Sequence, residues 1–386
     1  MTVIDGLAPP ATTIFERMSR AAAASGAINL GQGFPDLPEP PELIAAAGAA
    51  VAGRSNQYPP MRGLAELRRA IAAYYAREQG LDLDEREVLV TSGATEALAA
   101  TILSLVRPGD EVILVQPLYD AYLPLVRRAG GIARFVNLVP PGWTLPLDAL
   151  EAAMSDATRL LILNTPNNPA GSLIDRATLE AIGTLAQRHD VIILCDEVWE
   201  AMLFESAGHV SPLAISALRG RTVKIGSAGK IFSLTGWKVG WACAALPLVE
   251  TIAASHQFLT FTTPPMLQWA VAEGLALPAD WHAAHRARYQ AGRARLVAGL
   301  ADAGFAVLPN AATWFVTIDL AASGIDVADA ALCERLIPEA GVAAIPISAF
   351  YAENPLTGYI RLCFAKGDDT LDEAVRRLAR FRRSLL

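Results

Sequence analysis

Short apolar segments recur through the first part of the chain, and a helical pattern follows most of them. Several segments are apolar nearly throughout, which is typical of strands buried on both faces of a sheet. Helical patterns at 93–104, 119–129 and 176–189 lie between the segments. This alternation predicts an α/β fold built on a largely parallel sheet. The predicted strands are 87–91, 111–115, 160–163, 191–195 and 223–225.

The rest of the chain suggests a second, smaller unit. A chain of 386 residues fits one large domain with a smaller one better than a single small domain. A long helical pattern at 281–303 precedes further strand and helix patterns. We therefore expect a large domain over 42–280 and a small C-terminal domain over 281–386. Residues 1–41, rich in Gly and Pro, are expected to form an irregular N-terminal arm and part of the small domain.

Composition argues against several classes of protein. Hydrophobic residues make up 53% and charged residues 18% of the chain, as in globular proteins. The net charge of -7 and the lack of a basic stripe argue against a nucleic-acid partner. No apolar run reaches membrane-spanning length, and the N-terminus lacks a signal-peptide pattern, so no membrane association is predicted. Four scattered cysteines favour a reduced, cytoplasmic location. His282 and His285 lack further ligands in the sequence, so no metal site is predicted.

Chemically useful residues follow several predicted strands at the point where each strand ends. Residues 92–96 (SGATE) have small side chains that let backbone N–H groups approach an anion. Asn168, Asp196 and Lys230 follow the third, fourth and fifth predicted strands. Taken singly, residues 92–96 and Asn168 would be turn residues, Asp196 would be a helix cap and Lys230 would be a solvated lysine. Because the carboxyl ends of parallel strands meet at one edge of a sheet, their joint arrangement predicts a single site.

That set of groups suits pyridoxal phosphate. This cofactor needs an amine for its aldehyde, a carboxylate beside its pyridine nitrogen and an anion site for its phosphate. Lys230, Asp196 and the turn at 92–96 could supply the three groups. A lysine displaced by a substrate amine is also placed to act as general base and acid.

Longer motifs carry a family resemblance over nearly the whole chain. The chain resembles the pyridoxal-phosphate aminotransferases of fold type I, class I/II, and among them the kynurenine, glutamine and methionine aminotransferases. The resemblance implies a mostly parallel, seven-stranded central sheet with helices on both faces and a smaller α+β domain. It also implies amino transfer between an α-amino acid and a 2-oxo acid. The matching stretches are 29–35 (NLGQGFP), 57–63 (QYPPMRG), 91–98 (TSGATEAL), 164–171 (NTPNNPAG), 196–200 (DEVWE), 227–241 (SAGKIFSLTGWKVGW) and 360–366 (IRLCFAK).

Site roles follow from the resemblance, residue by residue. It implies that Lys230 forms the internal aldimine and that Asp196 pairs with the pyridine nitrogen, making these the catalytic residues. Arg361 would grip the substrate α-carboxylate in a bidentate fork, with Gly33 and Asn168 beside it. The remaining implied cofactor contacts are Asn168 at the 3′ oxygen, Tyr119 stacked on the ring, and Ala94, Thr95, Ser227 and Lys238 at the phosphate.

The resemblance also implies a homodimer with shared active sites. Tyr58 would reach the phosphate held by the neighbouring subunit, and Phe261 would line that subunit's pocket, where it would also contact substrate.

Trp199 departs from the family pattern, which usually has Tyr three residues after the aspartate. An indole N–H can donate one hydrogen bond but can neither accept one nor ionise. Trp199 therefore either replaces the tyrosine as a donor to the cofactor, or turns away and shapes the pocket. Plain packing is an equal alternative, because large aromatic side chains commonly pack.

Several functions remain open on the sequence alone. Transamination of an aromatic, apolar or sulfur-containing amino acid leads, because no second arginine can be assigned to a side-chain carboxylate. A cysteine-conjugate β-lyase would use the same lysine to expel a β-leaving group. A non-catalytic regulator that binds pyridoxal phosphate is disfavoured, since no helix-turn-helix pattern precedes the predicted large domain.

Overall fold

The computed structural model describes residues 13–204 and 208–385. Its helices are α1 (Ile14–Ser25), α2 (Pro41–Gly53), α3 (Ala65–Gln79), α4 (Ala94–Leu105), α5 (Tyr122–Arg128), α6 (Leu147–Ala152), α7 (Arg176–Arg188), α8 (Ser216–Arg219), α9 (Ala228–Ile231), α10 (Leu246–Leu259), α11 (Pro265–Leu275), α12 (Ala279–Asp302), α13 (Asp329–Ala340) and α14 (Asp368–Leu385). Its strands are β1 (Ile28–Asn29), β2 (Val88–Thr91), β3 (Glu111–Gln116), β4 (Ile132–Asn137), β5 (Thr158–Asn164), β6 (Ile192–Asp196), β7 (Thr222–Ser227), β8 (Gly240–Ala244), β9 (Ala306–Val307), β10 (Phe315–Asp319), β11 (Val342–Ala343), β12 (Ile345–Pro346) and β13 (Tyr359–Cys363).

A seven-stranded sheet forms the centre of the molecule, in the order β2-β8-β7-β6-β5-β3-β4. Strand β8 pairs antiparallel with both β2 and β7, and the other pairings of this sheet are parallel. Every residue of β2, β3 and β7 is buried, so these strands can be apolar on both faces. The mostly parallel α/β fold is thereby confirmed, and all five predicted strands are present, with each limit within two residues of its predicted position.

Strand register determines where the polar residues end up. Asn164 is opposite Asp196, and Asp196 is opposite Ile225, across β5, β6 and β7. Strands β5 and β6 therefore end level with one another, and β7 continues two residues further to Ser227. The segments that follow them emerge together at one edge of the sheet, as expected for a ligand site in an open α/β sheet.

A buried ion cluster lies behind that edge, and it was not predicted from the sequence. Lys224 on β7 is fully buried and its Nζ lies 2.6 Å from Glu197 Oε2, while it also donates to Glu200. Glu197 in turn accepts hydrogen bonds from Ser211 and contacts His209. Removing one member of such a cluster leaves a buried charge uncompensated, which is strongly destabilising. These contacts connect the segment after Asp196 to the neighbouring strand β7.

A second sheet lies in the C-terminal part of the chain. Strands β12, β13, β10 and β9 form it, and all its pairings are antiparallel. A separate pair joins β1 to β11 in parallel, so the N-terminal segment contacts the C-terminal one. The division into domains at residues 41 and 280 stays a prediction, and residues 1–12 of the predicted arm lie outside the described residues.

The predicted irregular arm was partly wrong, because it contains α1 and β1. The Thr13 hydroxyl caps α1 by accepting a hydrogen bond from the backbone N–H of Glu16 at 3.2 Å, and Gly26 ends the helix with φ 65°. Only Met18 and Ala22 of this helix are buried, and the Gly and Pro residues on either side of it led to the prediction of an irregular arm. Elements β4, β8, α10 and α11 also went unpredicted. No helix among the described residues is long and apolar enough to cross a bilayer.

Gly240→Ala should lower the free energy of unfolding by about 1–3 kcal/mol. A Cβ on Gly240 would lie 2.6 Å from the backbone N of Ala94 and the carbonyl carbon of Gly93, and backbone atoms cannot move aside as a side chain can. Gly220→Ala is the control, since a Cβ there meets nothing within 4 Å and its φ of -84° suits alanine. Urea denaturation of both variants checks this, and equal stabilities would contradict the proposed contact.

Candidate active site

A cavity of about 370 Å³ lies at the carboxyl edge of the central sheet. It gathers residues from both sheets, because β13 of the second sheet contributes Arg361 to its wall. Most of the sequence-predicted site residues line it, namely Gly33, Ala94, Thr95, Tyr119, Asn168, Asp196, Trp199, Ser227, Lys230, Lys238 and Arg361. The structure therefore brings together residues that are far apart in the chain.

Lys230 lies in α9, directly after β7. Burial lowers the pKa of its amine to about 8, although the nearby Asp196 opposes this effect. Its Nζ lies 4.7 Å from the ring centroid of Trp199 and 5.0 Å from that of Trp314. A substantial share of this amine is thus neutral near physiological pH, as a nucleophile or general base requires.

Asp196 is the last residue of β6 and is buried. Its Oδ2 accepts a hydrogen bond from the hydroxyl of Tyr122 at 2.7 Å, and its Oδ1 accepts one from the Val198 N–H at 3.3 Å. Burial raises the pKa of this carboxyl, whereas the two donors stabilise its charged form. Tyr122 was missed from the sequence, although it lies only three residues after Tyr119, which was chosen.

An anion site is formed where β2 leads into α4. Gly93 has φ 81° and precedes α4, whose first N–H groups receive no side-chain cap. A Cβ on Gly93 would lie 3.2 Å from Cε of Lys238, so the lysine chain runs close over this turn. Ser227 at the end of β7 completes the same side of the cavity. Free backbone donors, a hydroxyl and an ammonium together suit a phosphate.

Arg361 is an almost fully buried cation, only 2% exposed. Its Nη1 donates to Asn168 Oδ1 at 2.9 Å and its Nη2 to the Gly31 carbonyl at 2.6 Å. Among the described residues no carboxylate forms an ion pair with it, and its Nε has no hydrogen-bond partner. Burial lowers its pKa to about 9, and its guanidinium carbon lies 3.8 Å from the ring centroid of Phe315. A buried cation without an anion is suited to bind the carboxylate of a ligand.

Gly33 lies close to this cation. A Cβ at Gly33 would meet Cζ of Phe315 at 2.4 Å, so only glycine fits between the backbone and that ring. Phe315 packs on the guanidinium of Arg361, and the backbone of Gly33 therefore borders the same part of the cavity.

Trp199 packs against other aromatic rings. Its ring meets Trp314 edge to face at 4.8 Å and Phe315 at 5.5 Å, and it is only 3% exposed. Within the described part of the chain its indole N–H makes no hydrogen bond. Trp199 therefore faces the cavity and shapes it, and its possible hydrogen bond to a cofactor stays a prediction.

Tyr58 and Phe261 lie away from the cavity of their own chain. They are 84% and 40% exposed and contact each other edge to face at 5.7 Å. The remaining singled-out residues, His282 and His285, lie on α12. His285 stacks on Trp281 and lies 3.0 Å from the Ser233 hydroxyl, and burial lowers its pKa to about 4.

Comparison with known proteins places this geometry among related enzymes. The family model for aminotransferases of class I and II matches residues 25–378. A probable N-succinyldiaminopimelate aminotransferase of Mycobacterium tuberculosis is 44% identical, over 97% of this chain and 98% of that protein. The methionine aminotransferase of Escherichia coli is 41% identical, over 95% of each chain. The solved structure of N-succinyldiaminopimelate aminotransferase from Mycobacterium tuberculosis superposes with a TM-score of 0.92 at 45% identity, covering 96% of this chain and 97% of that one.

Tyr122→Phe should move the acid limit of pyridoxal phosphate binding to higher pH. The hydroxyl donor lowers the pKa of Asp196, so its loss raises that pKa, and the carboxylate is lost at a higher pH as the solution is acidified. We expect affinity at the acid end to fall about tenfold, measured by titrating the cofactor-free chain at a series of pH values.

Tyr351→Phe is the matched control for that titration. The Tyr351 hydroxyl is buried without a hydrogen-bond partner and does not line the cavity. Its removal should leave the pH profile unchanged. If Tyr122→Phe also binds the cofactor with the parent's pH profile, the Tyr122 hydroxyl does not set the charge of Asp196.

Proposed function

The chain belongs to the aminotransferases of class I and II, whose members use pyridoxal phosphate, and we propose that it transfers the amino group of a neutral α-amino acid to a 2-oxo acid. The neutral side chain is aromatic, apolar or sulfur-containing, with methionine, kynurenine and glutamine as examples. The observation that carries this proposal is that Lys230, Asp196 and Arg361 line one cavity.

The residues around the cavity fit pyridoxal phosphate. The uncapped start of α4, with Ala94 and Thr95, would hold the phosphate together with Ser227 and Lys238. Asp196 would hold the proton on the pyridine nitrogen, Asn168 would donate to the 3′ oxygen, and Tyr119 would stack on the ring. Lys230 would form the covalent bond to the aldehyde carbon. When bound, the cofactor supplies an electron sink for negative charge at the substrate Cα.

Lys230 and Arg361 then have separate tasks in the reaction. Arg361 binds the substrate α-carboxylate in place of an internal anion, and this fixes the orientation of Cα. Once displaced by the substrate amine, the Lys230 amine would take the proton from Cα and would return it to the carbon of the cofactor that carried the aldehyde. Its pKa of about 8 lets both directions proceed near neutral pH.

The charges of the cavity favour a neutral substrate side chain. The cationic side chains among its lining residues are Lys230, Lys238 and Arg361. All three are engaged once the cofactor and the α-carboxylate are bound. Asp120, which the sequence reading had not singled out, then remains as an uncompensated acid, and burial raises its pKa. A second carboxylate on the substrate would be repelled by Asp120 and would find no cation among the described lining residues.

We infer a homodimer with shared active sites. Support comes from the exposed apolar surface around Tyr58, since Phe258 is 83% and Leu259 is 45% exposed close to Phe261 in the chain. Tyr58 would contact the cofactor phosphate bound to the neighbouring subunit, and Phe261 would line the wall of that cavity. A cytoplasmic location is also inferred, because all four cysteines are free and buried thiols.

Borohydride reduction should fix pyridoxal phosphate on Lys230. The chain loaded with the cofactor is reduced, digested and mapped by mass spectrometry, and the label is expected on the Lys230 peptide alone. Lys230→Ala should lose the label and about 10²-fold or more of the transamination rate.

Donors for the transamination assay are methionine, kynurenine, glutamine, N-succinyldiaminopimelate and aspartate, with 2-oxoglutarate as acceptor. Pyruvate and ammonia formed from a cysteine conjugate without an acceptor would instead indicate β-elimination, and a chain without label would contradict the proposal.

Asp120→Asn should widen the substrate range towards dicarboxylic amino acids. Removing the negative charge lifts its repulsion of a second carboxylate, so kcat/KM for aspartate relative to methionine should rise about tenfold, roughly 1.4 kcal/mol. Asp156→Asn is the control, because Asp156 is exposed and does not line the cavity. An unchanged ratio in Asp120→Asn would mean that another feature selects the side chain.

A further inference from the structure

We infer that Trp199 and Trp314 form an aromatic corner that holds the Lys230 amine and stabilises its protonated form without forming a hydrogen bond to it. This inference rests on the proposed role of Lys230. The Lys230 Nζ lies 4.7 Å from the ring centroid of Trp199 and 5.0 Å from that of Trp314. The two rings are 4.8 Å apart and inclined at 82°, so one amine contacts the faces of both.

The corner is held rigid by further packing. Trp314 is fully buried, and it stacks on Tyr289 at 5.6 Å with 17° between the rings. The Tyr289 hydroxyl donates to Ser233, which lies only three residues after Lys230. The same chain segment that carries the amine therefore anchors the ring stack that contacts it. Trp199 is fixed from its other side by Phe315 at 5.5 Å.

The electrostatic setting shows what the corner adds. Burial disfavours the charged amine, and Arg361 and Lys238 disfavour it further. Asp196 and Cys363 favour the charged amine, but Asp196 also accepts a hydrogen bond from the Tyr122 hydroxyl. The negative π faces of two tryptophans stabilise an ammonium by direct contact. They supply this stabilisation where burial and two neighbouring cations, Arg361 and Lys238, disfavour the ammonium.

The absence of a hydrogen bond matters for proton transfer. A carboxylate paired with Lys230 would hold the proton and block the nitrogen lone pair. A π face attracts the ammonium and yet leaves the lone pair of the neutral amine free. The corner can therefore serve an amine that must take up a proton and give it away at the same position. Tryptophan suits this better than tyrosine, because indole offers the stronger cation–π contact and has no hydroxyl that could ionise.

The test uses the few lysines of this chain. There are four, at Lys224, Lys230, Lys238 and Lys366. Lys224 and Lys366 are buried, and the other two line the cavity. The full chain labelled with ¹³C at lysine Cε and freed of cofactor should give one resolved signal for each. Lys230→Ala assigns its signal, and the pH dependence of that signal gives the pKa of Lys230.

Trp314→Leu and Trp199→Leu should each lower the pKa of Lys230 by about 1, since each removes one π face. Trp314→Phe and Trp199→Phe should lower it less, because a weaker π face remains. Trp143→Leu is the matched control, as Trp143 is equally buried but does not line the cavity. The pKa of Lys230 in Trp143→Leu should equal that in the parent protein.

The direction in which the pKa of Lys230 changes distinguishes the loss of a π face from a mere loss of packing. A cavity left by leucine would admit water, and water solvates the ammonium and raises the pKa. A rise, or no change in either leucine variant with the other lysine signals in place, overturns the inference. If a leucine variant does not fold, the phenylalanine variants give the same readout. Because the titration needs neither cofactor nor substrate, its result is independent of borohydride labelling, which tests the proposed function itself.

Discussion

The pairing register of β5, β6 and β7 is the constraint on which the active site depends. Backbone pairing places Asn164 opposite Asp196 and Asp196 opposite Ile225, so the segments after the three strands share one edge. A shift of one residue in this pairing would turn Asp196 to the other face of the sheet. The buried contact of Lys224 with Glu197 and Glu200 opposes such a shift, because moving either strand would separate charges that are buried away from solvent.

Two features of the cavity lining indicate what it is prepared to bind. Within the described residues, Arg361 is buried without an ion-paired carboxylate, and the first N–H groups of α4 receive no side-chain cap. Both features cost stability in the isolated chain and both are relieved by anions. Arg361 reaches the cavity from the second sheet, and the start of α4 reaches it from the central sheet. A ligand with two separated anionic groups therefore bridges both sheets.

Much of the fold and most cavity residues could be predicted from the sequence, because buried parallel strands are apolar throughout and their polar ends follow directly. Contacts between distant segments could not. Tyr122 reads as an ordinary helical residue until the fold carries it to Asp196, and Lys224 reads as an irregularity within a strand. Helix α1 was not predicted, because the Gly and Pro residues on either side of it led to the prediction of an irregular arm. The roles of Tyr58 and Phe261 at a neighbouring subunit stay predictions.

The scarcity of lysine has a consequence for the chemistry of the outer surface. With Lys224 and Lys366 enclosed and Lys230 and Lys238 at the cavity, the described exterior carries its positive charge on arginine. A guanidinium remains protonated and is a poor nucleophile, so it does not readily condense with aldehydes or keto groups. Carbonyl compounds in solution thus meet hardly any competing side-chain amine before they reach the cavity. Covalent selectivity arises here from the scarcity of rival nucleophiles as well as from the environment of Lys230.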